Sequence, residues 1–234
     1  SAKGDGFEFK ISRTGYTGDL GYELWVKNAD AIKLFDALWH AGQNYNIRMS
    51  GIAALDIARI EAGLVMNGVD YHSSLHALIP EQMSTPYELG LGWAVNLDRD
   101  PFMGQKALKA EKKNGSKWAT VGIDIDWPDL EELYKKHGLP PHTDAGAWRT
   151  SIPVYHPQNK TKQIGYATSG TWSPLLKKNI ALVTIQKEYA KPGTEVNFEV
   201  TVEHHREKVR AIVGKPQFFN PKRKRSIVKK ENNE

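Results

Sequence analysis

Apolar and polar residues alternate over two short arms near the start of the chain, Phe7-Glu8-Phe9-Lys10-Ile11 and Tyr22-Glu23-Leu24-Trp25-Val26. Alternation with a period of two is the pattern of a strand that buries one face. Between the arms lie Gly15, Gly18 and Gly21, with Thr14, Thr17 and Asp19, residues that reach positive φ or let two backbones approach closely. A β-ribbon over residues 11–26 follows. The period then lengthens: Ile32, Phe35, Leu38 and Trp39 recur at helical spacing, with Asn28 placed to cap the helix and Gly42 to end it. A second helix is expected from Ser50, with Ile52, Leu55, Ala58 or Arg59 and Ala62 on neighbouring turns before Gly63. Asp56 lies three before Arg59, a pair worth a few tenths of a kcal/mol (~0.3) on an exposed face.

Residues 109–117 are polar and glycine-punctuated, as linkers are. Beyond them short β-like runs follow at 118–125, 152–155, 162–167, 180–186, 195–203 and 208–213. Strands at this spacing, parted by Pro and Gly turns, predict a small barrel or sandwich. Residues 127–141 break the pattern: DLEELYKKHG reads as one short helix, with Glu131 and Lys135, and Glu132 and Lys136, four apart, and looks like an insertion into the barrel.

Composition fits a globular chain. With 234 residues, 40% hydrophobic and 10% aromatic, it can hold one large or two small domains around a sizeable core. No run approaches the roughly 18 apolar residues of a membrane helix, and SAKGDG lacks the features of a signal peptide. The absence of cysteine removes disulfides, thiolate metal sites and thiol catalysis. The chain therefore reads as soluble, unsecreted and cytoplasmic. Of the net charge of +5, six positive and two negative side chains lie in residues 222–234, which leaves a body of about +1. This tail reads either as a solvated terminal segment, the commoner case, or as a nucleic-acid or localisation signal.

The candidate chemistry lies in the ribbon. Glu23 and Trp25 are two apart and share a face, and Tyr16 sits in the turn, so a carboxylate and two aromatics can meet in a volume suited to a flat hydrogen-bonding heterocycle. By spacing alone, a purely structural turn and core packing of Trp25 stand beside that reading. His72 and His76 are spaced as a helical pair, yet Pro80 and the want of a further ligand argue against a metal site; His204 and His205 would face opposite ways on a strand.

RTGYTGDLGYE resembles the RTGYTGE-x-G-[FY]-E signature of the tetrahydrofolate-dependent aminomethyltransferase family, the T-protein of the glycine cleavage system, which also includes folate-dependent demethylases. GIAALDIARIEAGL and STPYELGLGWAVNLDRDPFMGQKALKA resemble further family segments, as do QIGYATSGTWSPLLKKNIALVTI, KPGTEVNFEV and the closing KPQFFNPKRKR, so the C-terminus is expected to be the natural end. Two departures stand out. Leu55 occupies the position of an arginine that contacts folate in T-proteins, and the loop of residues 70–84 is longer than usual. An apolar side chain replaces neither a guanidinium's charge nor its forked donors, so either the folate tail is held differently or the donor is not the lipoyl-bound aminomethyl group, which tilts the resemblance toward a demethylase-like or other aminomethyltransferase relative.

The resemblance implies an α+β fold: the C-terminal portion of the folate-binding domain over residues 1–112, a small β-barrel over 116–220, and a basic tail over 221–234. It implies a one-carbon transferase, moving an aminomethyl or methyl unit from a small amine or other donor to tetrahydrofolate. Glu23 corresponds to the pterin-binding glutamate, with Tyr16 and Trp25 as stacking walls. Trp172 stands where the family has Phe, in a hydroxyl-rich turn of Thr168, Ser169, Thr171 and Ser173 that is structural or abuts the folate pocket. No metal is implied. The family's proton-handling aspartate belongs to an N-terminal part with no counterpart here, so the chain is expected to be a fragment, or one subunit of a split protein, inactive alone, whose first helix and ribbon leave an apolar face open. The alternatives are a non-catalytic folate-binding or assembly module and, less favoured, a nucleic-acid binder acting through the tail.

Overall fold

A computed structural model of the chain describes residues 2–4 and 6–221; the basic tail beyond Pro221 lies outside the described residues. The first part holds a three-stranded antiparallel sheet, β1 (Ala2–Gly4), β2 (Phe7–Ser12) and β3 (Glu23–Val26), in that order. The ribbon has its expected register, from Phe9 opposite Val26 to Ser12 opposite Glu23. Its turn is pinched where Gly15 and Gly21 meet: a Cβ on either would lie 3.2 Å from the other's Cα, a contact only glycine makes comfortably.

Helix α1 (Ala31–Gly42) follows a 3-10 turn at Asn28–Asp30, and no side chain caps it. Gly42 does not end the helical path. The chain continues through a 3-10 turn, Gln43–Tyr45, and stops at Asn46 in the left-handed region, φ 56°. Gly42 instead admits Ile47, whose side chain would meet a Cβ there at 2.6 Å. Helix α2 (Ile52–Glu61) starts from Gly51 rather than Ser50, and Gly63, at φ +71°, lets the backbone turn against the carbonyl of Pro216. Helix α3 (Gln105–Asn114) leads toward the second part.

The second part is a closed six-stranded antiparallel barrel. Its strands are β4 (Trp118–Ile125), β5 (Ile152–Tyr155), β6 (Gln163–Ser173), β7 (Lys178–Gln186), β8 (Glu195–Val202) and β9 (His205–Gly214), ordered β4-β7-β6-β5-β8-β9 around the wall. Alternate residues of each strand fill the interior, among them Val121, Ile123, Val183, Ile185, Val209 and Val213. Strand β7 is apolar on both faces because its outer residues Ile180 and Leu182 pack against Ile60 of α2, so one strand serves the barrel core and the junction with α2.

Helix α4 (Trp127–Lys136) interrupts the β4–β5 connection, as its sequence predicts. Asp126 caps it by accepting from the Asp129 N–H at 3.0 Å, and Pro128 lies in the first turn. The charge pairing differs from the sequence expectation: Lys135 approaches Glu132 at 3.6 Å, while Lys136 reaches across to Glu207 on β9 at 2.7 Å. At the β8–β9 turn Glu203 and His204 both take positive φ, 47° and 67°, and His205 stacks on His137 with ring centroids 5.4 Å apart.

Candidate functional site

The polar centre of the molecule is built around Arg59, whose side chain is fully buried on α2. Its Nε donates to Asp56 at 2.8 Å, one i,i+3 step back along the helix, and its Nη1 donates to Asp70 at 2.5 Å. The second carboxylate oxygen of Asp56 accepts from Nε of Arg149 at 2.9 Å, in the loop before β5. Two cations thus face two carboxylates, with Arg59, Asp56 and Asp70 buried and Arg149 reaching in from a side chain that is 43% exposed.

A bulge in β6 completes it. The β6–β7 register shifts between Ala167 and Ser169, so two consecutive residues that a regular strand would send to opposite faces both reach Asp70. The Thr168 and Ser169 hydroxyls donate to the same Asp70 oxygen, at 2.5 and 2.6 Å, and the Met66 N–H donates to the other at 2.8 Å. Nearby, the Ser173 hydroxyl donates to Glu61 at 2.5 Å. The hydroxyl-rich segment expected as a turn is instead the second half of strand β6, and it forms a latch between the barrel and α2.

Both oxygens of Asp56 and both of Asp70 are engaged, which suits these carboxylates to hold geometry rather than to move protons, while the buried Nη2 of Arg59 has no partner among the described residues. Burial works to raise the pKa of Asp56, but hydrogen bonds from Arg59 and Arg149 outweigh it and hold the carboxyl below its ordinary range. Tyr16 runs from the glycine turn into the same region and donates its hydroxyl to the Val65 carbonyl at 2.9 Å. Burial pushes the Tyr16 phenol up, partly offset by Arg59, so it remains a donor at neutral pH.

Glu23 and Trp25 lie on one face of β3, as predicted, and both are exposed, Trp25 by 61%. Among the described residues the Glu23 side chain makes no hydrogen bond or ion pair. Trp172 is elsewhere: its indole packs on Trp127, centroids 5.2 Å apart, and lines a cavity at one end of the barrel that none of Tyr16, Glu23 and Trp25 lines. The structure therefore joins Tyr16 to the latch, keeps Glu23 and Trp25 on an open strand face, and puts Trp172 in the barrel mouth. Asp70 and Arg149 escape sequence reading because each meets its partner through long-range packing. The one available signal was the strand that carries two adjacent hydroxyls.

Residues 2–99 match the family described as the GCVT N-terminal domain, and residues 137–220 match the glycine cleavage T-protein C-terminal barrel domain. The chain belongs to the glycine cleavage T-protein family. The aminomethyltransferase of Bacillus cytotoxicus is 35% identical over 216 residues, which cover 92% of this chain and 50% of that protein. That of Caldanaerobacter subterraneus subsp. tengcongensis is 32% identical over 214 residues, 92% of this chain and 48% of the relative. The chain thus spans about half the length of these relatives. The crystal structure of the glycine cleavage system aminomethyltransferase T from Bartonella henselae shares the fold at 24% identity, with a TM-score of 0.68 over 89% of this chain and 49% of that one. Helix α4 precedes the stretch matched to the T-protein barrel and follows the stretch matched to the N-terminal domain.

Proposed function

We propose that this T-protein relative takes part in a folate-dependent one-carbon transfer, contributing one wall of the folate site and the barrel that braces it. The observation that carries the reading is the GYTGDLGYE ribbon: it folds in register and presents a carboxylate and an indole on one unobstructed face. A carboxylate without protein partners can accept two hydrogen bonds from the N–H edge of a planar heterocycle, and an indole two residues along offers it an apolar wall. Glu23 and Trp25 would hold the reduced pterin, and Tyr16 fixes the turn from which β3 leaves. The bound folate would supply a nucleophilic nitrogen to receive the carbon unit. The chain's own part is orientation: α2, locked to the barrel through Arg59, Asp56 and Asp70, sets the position of the ribbon.

One wall is an incomplete cradle, and the donor, an amine or methyl compound, would be handled by groups on the polypeptide that covers the open face. That polypeptide corresponds to the half of the relatives that this chain does not span. Leu55 favours a donor other than the lipoyl-bound aminomethyl group, because the helix offers no guanidinium at that point. Titration with tetrahydrofolate tests the reading. Saturable binding is expected when the chain is joined to the N-terminal half of a relative, weak or no binding to the chain alone, and loss of binding in Glu23→Ala. Unchanged affinity in that variant overturns the assignment of Glu23.

A further inference from the structure

The cavity that holds Trp172 is the mouth of the barrel. It is bounded by the ends of β4, β6 and β8 and the starts of β5, β7 and β9, and it is roofed by α4 and the loop that follows it. Its volume, about 690 Å³, lies within the range of small-molecule sites, and barrel mouths are a recurrent place for them. The roof is the insertion after β4, so the same residues that break the strand pattern in the sequence create the enclosure.

The lining is chemically two-sided. Trp148 and Trp172 form an aromatic wall. Trp148 is fixed by a backbone bridge to Gly170, N to O 2.9 and 3.1 Å in the two directions, and by Phe198 with centroids 6.2 Å apart. Opposite charges stand on the β8–β9 ladder. Thr201 pairs with Arg206 and Glu199 with Lys208, which makes Glu199 and Arg206 diagonal neighbours on one face, about 7–8 Å apart by ladder geometry. Neither is neutralised by the other or by Lys208. The Lys208 ammonium sits 3.7 Å above the Tyr155 ring and donates to the Lys160 carbonyl. Tyr155 donates to one oxygen of Glu199 at 2.8 Å, leaving the other open, and the Arg206 guanidinium has no ion pair or hydrogen bond among the described residues. A carboxylate and a guanidinium, neither in an ion pair among the described residues, at the edge of an aromatic wall are complementary to a ligand that carries both charges on a short scaffold with an apolar body.

We propose that the barrel mouth is a binding site for a zwitterionic amine of the amino-acid class with a bulky apolar side chain. Its ammonium meets Glu199, its carboxylate Arg206, and its side chain the wall of Trp148 and Trp172. This site is separate from the ribbon face and does not depend on the folate reading.

L-phenylalanine is a suitable probe for the full chain, because its own fluorescence leaves the tryptophan signal of Trp148 and Trp172 readable. It is compared with 2-phenylethylamine, which lacks the carboxylate, and 3-phenylpropanoate, which lacks the amine. The expected result is a saturable tryptophan change with phenylalanine and weaker binding of each one-charge analogue by about tenfold or more, the worth of one charge-assisted contact. Arg206→Gln should erase the preference for phenylalanine over the amine, and Glu199→Gln its preference over the acid. Arg206 is exposed and unpaired, so its variant is expected to keep the wild-type melting temperature. No saturable change up to about 10 mM, equal response to the three probes, or undiminished phenylalanine affinity in Arg206→Gln would each overturn the proposal.

Discussion

Arg59 carries the largest stake of any single side chain here. A guanidinium with zero exposure is tolerable because two carboxylates bind its Nε and Nη1, and Arg149 and two hydroxyls hold those carboxylates in turn, although Nη2 stays without a partner among the described residues. The charges attract strongly in that environment, but their desolvation offsets most of the gain, so the intact cluster adds specificity more than net stability. Removing one member is a different matter. Arg59→Met would leave the buried Asp70 without its cation and Asp56 with Arg149 alone, at a cost of about 3–5 kcal/mol, read as a lower urea midpoint with an unchanged slope. A drop below about 1 kcal/mol would mean that water reaches the carboxylates. The same cluster sets a pH dependence. The folded state holds the Asp56 pKa below its unfolded value, so the unfolded chain binds the proton more tightly. The stabilisation is complete above the ordinary carboxylate range, about pH 4 and upward, and is lost as pH falls through the depressed folded value. Asp56→Asn should therefore weaken stability at pH 7 and flatten its decline on acidification, measured by denaturation at a series of pH values.

The elements show which parts of this structure a sequence can disclose. Alternation located the ribbon arms, and helical spacing located α1, α2 and α4, because in each the period comes from local geometry and one buried or buriable stripe. The barrel strands were legible for the same reason, and the family resemblance favoured a barrel over a sandwich; their order around the wall was not legible. The latch was not. Asp70 lies eleven positions from Arg59 and almost a hundred from Thr168, and no periodic signal spans such gaps; the bulge that aims Thr168 and Ser169 together is a property of strand register. Trp172 was read beside Tyr16, Glu23 and Trp25 because all four fall in family motifs, yet β6 delivers it to the barrel mouth. The element with most leverage on that mouth is the contact between β6 and the loop after α4. Gly170 faces the Trp148 ring so closely that a Cβ would lie 2.2 Å from it and 2.7 Å from the Ile180 carbonyl. Gly170→Ala must push the indole out of the aromatic wall, with an expected cost of about 1–3 kcal/mol and a shifted tryptophan emission maximum. Unaltered emission and melting temperature would show that the ring has room to turn.

At the scale of the whole molecule the two parts are finished to different degrees. The barrel buries nearly all its large apolar side chains; Leu175 and Ile212 are its exposed exceptions. Before residue 104 the exposed set includes Trp25, Ile32, Phe35, Leu38, Trp39, Tyr45, Ile52 and Trp93, and α1 has no buried residue at all. Phe35 and Trp39 stack face to face on α1, centroids 6.4 Å apart and 5° between planes, with no layer over them. Contiguous apolar patches of this kind mark surfaces that another polypeptide covers, and relatives twice as long supply a natural candidate in the half that this chain does not span. The prediction follows from the contrast between the parts. In isolation the chain should self-associate with rising concentration and bind a hydrophobic dye. Substituting Phe35 and Trp39 by lysine together should reduce both without changing the unfolding of the barrel, because neither residue belongs to its core. Adding the N-terminal half of a relative should suppress dye binding by the unsubstituted chain and fail to do so for the double variant. If the double variant still associates like the original, α1 is not the sticky face, and the exposed loop around Leu75 and Leu78, 88% and 89% accessible, becomes the surface to alter.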